Sequence, residues 1–283
     1  MTKKRETQVR LRIHELEELY AIGKKISLMN QTRDATTLRT FQTEKIVEKV
    51  LLHCNSIVKL FIIGRESCYD ELDSSMIASA SRNIMDAGKL YFYIAERGIS
   101  KEEVEFRYNL QNLNYEKNIK DILKKLNYSS DAFLFRVLDM GYIENALRNS
   151  SRYRNADDKG KKQILSGKNF YERKQLNIFD QNTASAIYNL LSNSVHCFYL
   201  GLSNNSINHS IAFNSYIDVT MLLIIAVETA IIYTSHILND YLSLRKIFNR
   251  DISKEEKNKI KSLMNTEYLM AYIDIQREKF NQD

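Results

Sequence analysis

Residues 219–238 read VTMLLIIAVETAIIYTSHIL, and two folds compete for them. A run of about 20 apolar residues is long enough to span a hydrocarbon core of ~30 Å. This run is interrupted, however. Asp218 closes it on one side, Glu228 breaks it after residues 219–227, and His236 breaks it again after residues 229–235. A carboxylate at mid-bilayer costs roughly 2.5–3.5 kcal/mol on insertion scales. The stretch therefore reads as the central helix of a helical bundle, apolar on most sides.

The flanking sequence agrees with that reading. Helical periodicity dominates from end to end. VRLRIHELEELYAIGKKISLM places Leu11, Leu16, Leu19, Tyr20 and Ile26 among charges, an amphipathic helix of about six turns. TEKIVEKVLLHCNSIVKLFII continues to a stop near Gly64, and DELDSSMIASASRNIMDAGKLYFYIAERG to a stop at Gly98. Ser100 with Glu103, and Ser253 with Glu256, have the spacing of capping boxes. Ser129 or Ser130 is placed to cap the helix of SSDAFLFRVLDMGYIENALRN. No sustained alternation bounded by turn residues marks a strand. The expected fold is all-α: a single multi-helix bundle with an N-terminal helical arm over residues 1–32. Its core covers 33–245, with a basic insertion at 148–174, and a C-terminal helix follows at 246–283.

Composition supports this. Of the 283 residues, 44% are hydrophobic and 27% charged, enough for a sizeable core and too apolar for wholesale disorder. Proline is absent, where average usage of about 5% would give about fourteen. A long-helix architecture and an AT-rich coding bias both account for that, and both remove helix breakers. Cys54, Cys68 and Cys197 form no CxxC pair, which argues for a reducing compartment and against a zinc knuckle. The N-terminus is basic without an apolar h-region, so a cytoplasmic location is expected. No GxxxxGK[ST], GxGxxG, GxSxG or Glu-x-x-His step occurs, and no cofactor or metal is expected.

Residues 148–174 carry Arg148, Arg152, Arg154, Lys159, Lys161, Lys162, Lys168, Arg173 and Lys174 against Asp157, Asp158 and Glu172. That net +6 equals the formal charge of the whole chain. Tyr153, Phe170 and Tyr171 are interleaved with the cations. Cations that neutralise phosphates, beside rings that stack on bases, suit a single-stranded nucleic-acid surface, so RNA is the expected partner. A solvated positive loop is the alternative for the same residues.

SAIYNLLSNSVHCFYLGL, residues 185–202, sets Tyr188, Ser192 and His196 four apart, along one side of a helix. Ile187, Leu191, Val195, Phe198 and Leu202 form a neighbouring apolar stripe. Arg82 and Asp86 are also four apart, and Arg107 and Tyr108 follow on the next helix. Singly, each is an ordinary helix pair or core group. Together they make a candidate buried polar network.

Three motifs carry a resemblance. They are SRNIMDAGKLYFYIAERG with its Arg-x-x-x-acid step, the EFRYN that follows, and YNLLSNSVH with its Tyr-x-x-x-Ser-x-x-x-His step ahead of a long apolar helix. Over roughly residues 36–240 the chain resembles a group of uncharacterised bacterial helical proteins, related in outline to the HEPN superfamily. The resemblance implies that Arg82, Asp86, Arg107, Tyr188, Ser192 and His196 converge. It also implies metal-independent RNA cleavage of the kind found in toxins and phage-defence effectors. HEPN nucleases carry an arginine four to six residues before the histidine; here the preceding YNLLSNSV has none. On this expectation His196 is the general base, Arg82 or Arg107 stabilises charge at phosphorus, and Tyr188 and Ser192 orient the histidine. A non-enzymatic scaffold using the terminal helices for homo-oligomer or partner-protein contacts is the rival. A membrane-acting effector using residues 219–238 is the third reading.

Overall fold

The computed structural model describes residues 3–31, 33–66, 72–127, 140–168, 177–195 and 219–280. Every regular element among them is helical, so the fold is all-α. In chain order these are α1 (Lys3–Asn30), α2 (Leu38–Glu66), α3 (Ser74–Ala95), α4 (Lys101–Lys125), α5 (Met140–Arg148) and α6 (Ser151–Arg154). Then come α7 (Asp158–Ser166), α8 (Gln181–Val195), α9 (Val219–Leu244), α10 (Lys246–Asp251), α11 (Lys254–Ser262) and α12 (Glu267–Phe280). They gather into two compact units: unit 1, of Met1–Ala35, Thr43–Phe92 and Gln175–Asp283, and unit 2, of Thr36–Gln42 and Tyr93–Lys174.

Unit 1 is organised around α9, which packs against α1, α8, α10, α11 and α12. By length and composition this helix could cross a membrane, yet 89% of its most apolar stretch is buried within the fold. Its hydroxyls explain how polar residues tolerate that burial. Thr229 Oγ1 donates to the Ile225 carbonyl at 2.6 Å, and Ser235 Oγ to the Ile231 carbonyl at 2.8 Å. Glu228, at 0% exposure, takes Arg12 of α1 in a two-pronged pair: Nε meets Oε1, and Nη2 donates to Oε2 at 2.9 Å. The Arg12 guanidinium also bonds Glu15 and lies 4.8 Å over the Tyr268 ring. Burial pushes the Glu228 carboxyl above the usual carboxylate range, and the Arg12 bonds oppose it.

The buried side of α1 runs through Val9, Ile13, Leu16, Leu19 and Ile26, while Leu11 is 59% exposed. The stripe expected from the sequence included Leu11. It sits five residues from Leu16, about 140° round the helix, so the two cannot share a face. Val9 and Ile13 keep the repeat instead. At Gly88 of α3 an added Cβ would stand 2.7 Å from the Tyr233 ring, so the missing side chain is what lets α3 approach α9 there.

Unit 2 has a smaller core: Phe106, Leu110, Leu113, Ile143 and Leu147, flanked by Met140 and Ile164. It is closed by helix-end chemistry. Gly167 ends α7 at φ +67°, and its carbonyl accepts from Asn114 Nδ2 at 2.7 Å. Part of the basic stretch is thus helical, as α6 and α7, each begun by a capping side chain: Ser150 accepts the Tyr153 amide and Asp157 the Gly160 amide. Of the two expected capping boxes, the Ser253–Glu256 box is complete. At Ser100 only half forms, the Glu103 amide donating to Ser100 Oγ at 3.1 Å, because the Glu103 carboxylate is engaged elsewhere.

Candidate functional site

In unit 1, α3 and α8 bring Arg82, Asp86 and Tyr188 together. Arg82 Nε donates to Tyr188 Oη at 3.3 Å, Tyr188 Oη donates to Asp86 Oδ2 at 3.4 Å, and Arg82 Nε lies 3.9 Å from the same carboxylate oxygen. The helical period explains it: Arg82 and Asp86 share one side of α3, and Tyr188 faces them from α8 beside the buried Ile187 and Leu191. Two further groups join. Lys89 Nζ stands 3.7 Å from Asp86 Oδ1 and 4.3 Å from the Tyr188 ring centroid. The Tyr233 phenol is pushed up to about 12, by burial first and by the Asp86 charge second. Two cations and a hydroxyl thus surround one partly exposed carboxylate, an arrangement able to hold an anion or to orient a neighbouring base. The sequence reading missed Lys89, which its spacing three residues after Asp86 could have signalled. Tyr233 was not, since it comes from the apolar α9. Ser192 is half-buried on α8. His196 lies outside the described residues.

Arg107 belongs to unit 2, and its donors are committed there. Nε donates to Glu103 at 2.7 Å, Nη2 pairs with Glu96 at 2.7 Å, and Nη1 donates to the Tyr93 carbonyl. The guanidinium lies 4.0 Å over the Tyr93 ring. Burial opposes its charge, but the bonds to Glu103 and Glu96 outweigh burial and raise its pKa. Arg152 joins the same carboxylate, 2.8 Å from Glu103, and stacks over Phe106. These two arginines tie α3, α4 and α6 together.

The remaining cations of the stretch divide by environment. Arg148 Nη1 donates to Tyr153 Oη at 3.1 Å. Arg154 is exposed, as are Lys159, Lys162 and Lys168, and Lys161 is half-buried. Among the described residues, no carboxylate lies within ion-pair distance of these four lysines. Arg173, Lys174 and Tyr171 lie outside the described residues. Beside α6, a groove of about 600 Å³ opens between α4 and α5, lined by Glu102, Glu105, Asn109, Tyr142, Asn149 and Arg154 among others. Among the described residues, no cluster of three or more His, Cys, Asp or Glu side chains could hold a metal ion.

These features define an all-α protein with a strongly cationic helical unit and an Arg–Asp–Tyr cluster. No protein-family profile, no curated protein and no solved structure matches the chain.

Proposed function

We propose that the chain binds single-stranded RNA through unit 2. One observation carries the reading. Unit 2 holds 18 Lys and Arg against 12 Asp and Glu, the full +6 of the chain, while unit 1 balances at 23 against 23. Charge that crowded on one unit raises the local concentration of a polyanion and speeds its arrival. The exposed Lys159 and Lys162 of α7 suit phosphate neutralisation, and the aromatic residues interleaved with the cations in the sequence suit stacking.

A cleaving form of this reading is favoured by the grouping of Arg82, Asp86 and Tyr188. There His196 takes a 2′-hydroxyl proton and Arg82 stabilises the charge at phosphorus. Arg107 contributes by holding unit 2 together. The HEPN-like character suggested by the motifs, and a role in a toxin or defence system, belong to this form. A binding protein without catalysis keeps the strand and omits the step.

The test is anisotropy of labelled U20 RNA over a salt series, with the wild type and a Lys159, Lys161, Lys162 and Lys168→Ala variant. Single-strand affinity falls with log salt at about −0.7 per phosphate contact, so losing four contacts flattens the slope by roughly 3. Equal slopes for the two proteins would end the reading. Total RNA incubated with and without EDTA, against His196→Ala, separates cleavage from binding: EDTA-resistant cleavage lost in the variant supports the first.

A further inference from the structure

We infer that the α4–α5 groove of unit 2 receives one unpaired guanine base of an RNA strand, with Glu105 as its reader. The inference rests on RNA binding by unit 2. A volume of about 600 Å³ lies within the range of small-molecule pockets. Two pairs of side chains face each other across it. Glu105 and Asn109 are four apart on α4; Tyr142 lies on α5, and Asn149 directly follows that helix.

The chemistry of the walls selects the occupant. Glu102 and Glu105 make the floor acidic within a cationic unit, so a phosphate is repelled there and a base edge rich in donors is favoured. The Glu102 carboxylate is already used, accepting the Ser151 amide at 2.5 Å. Glu105 is the available one: its side chain is 49% exposed, and Lys101 stands 3.7 Å away on an exposed turn. An ionised carboxylate only accepts. Guanine alone among the four bases sets two adjacent donors, N1–H and N2–H, on its Watson–Crick edge, matching the two carboxylate oxygens. Adenine, cytosine and uracil each bring an acceptor against one of those oxygens. The Tyr142 ring, 64% exposed, offers a stacking surface. The Asn109 and Asn149 amides can donate to guanine O6 and N7. Arg154, at the groove's edge, is placed for the adjoining phosphate.

The experiment measures anisotropy of three labelled decamers on the full chain at fixed salt: all-uridine, and the same strand with one central guanosine or one central adenosine. The expected result is about tenfold tighter binding of the guanosine strand, one good base contact. Glu105→Gln removes that preference: the guanosine, adenosine and uridine strands then bind alike, each somewhat tighter than the wild type binds the uridine strand, through the loss of one negative charge. Glu105 is exposed, so the variant retains its fold, checked by circular dichroism. Equal wild-type affinity for the three strands, or a preference that survives Glu105→Gln, overturns the inference while RNA binding stands. No binding of any strand overturns both. GMP competing as tightly as the guanosine strand overturns the assignment to a strand.

Discussion

Glu228 in unit 1 and Arg107 in unit 2 are both buried charges, held in different ways. Glu228 sits in α9 among apolar residues and relies on one arginine from α1. Arg107, its side chain 6% exposed, has two carboxylates, a carbonyl and a ring. The carboxylates it binds reach solvent in part, and one of them is shared with Arg152. A charge with a single buried partner cannot lose it without leaving an uncompensated ion. One in a partly wet network can lose a member, and the rest rehydrate. Unit 1 is thus built by apolar burial around α9 and carries no net charge. Unit 2 has a small core, closes with polar links, and carries the net positive charge.

That contrast can be broken most directly at Arg12. Arg12→Ala strands Glu228 and is expected to cost about 3–5 kcal/mol. Arg107→Ala is expected to cost less, about 1–3 kcal/mol, because Glu96 and Glu103 reach water and Glu103 retains Arg152. Denaturant titration read by hydrogen exchange on peptides of each unit checks both, and a larger loss from Arg107→Ala would reverse the comparison. Next in size, Gly167→Ala forces a side chain into the left-handed region, 3.2 Å from the Asn114 backbone. It is expected to destabilise unit 2 by about 1–2 kcal/mol, with exchange in unit 1 peptides unmoved.

A third contrast is in pH. All five histidines fall in the sequence of unit 1. Burial holds the His236 imidazole below its ordinary value, its donation to the Met264 backbone opposing; at His53 burial and then Lys49 lower it. Such groups protonate first in the unfolded chain. The unfolded state therefore binds more protons as pH falls below about 6.5. The stability they contribute is present above that value and is lost below it. Unit 1 is expected to weaken from pH 7 to 5, and a His53→Gln, His236→Gln variant to flatten the trend, in denaturant midpoints taken at each pH. The smallest expected effect is chemical. Burial pushes the Cys54 thiol up to about 12, and Thr234 Oγ1 lies 3.3 Å from its sulfur. Site-resolved alkylation at pH 8 should leave Cys54 unmodified until denaturant is added; ready labelling in the native chain would show that the α2–α9 packing opens.

Much of the candidate cluster in unit 1 was legible in the sequence. Arg82 and Asp86 follow the helical repeat, and Tyr188 stands at the edge of an apolar stripe; Lys89, three residues after Asp86, was passed over. The register of α1 was less so, because Leu11 looks as apolar as Val9 until the turn angle is followed from Leu16. The half-formed cap at Ser100 could not be read either. Its spacing is that of the complete box at Ser253, and the difference lies in Arg107 and Arg152 drawing Glu103 away. In the groove, Glu105, Asn109, Tyr142 and Asn149 carry no motif, since each pair means something only once it faces the other.

The sequence by itself determined that the chain is helical, where several helices begin and stop, and that α9 is an inner helix. Those properties rest on local backbone sterics, capping bonds and a repeat of 3.6 residues, all within a few positions of each other. Only the tertiary structure decided that Arg12 meets Glu228, 216 positions away, and that Arg107 is spent on Glu96 and Glu103. Partners so distant along the chain are selected by which apolar faces pack. Charged side chains then take whatever opposite charge that packing brings near.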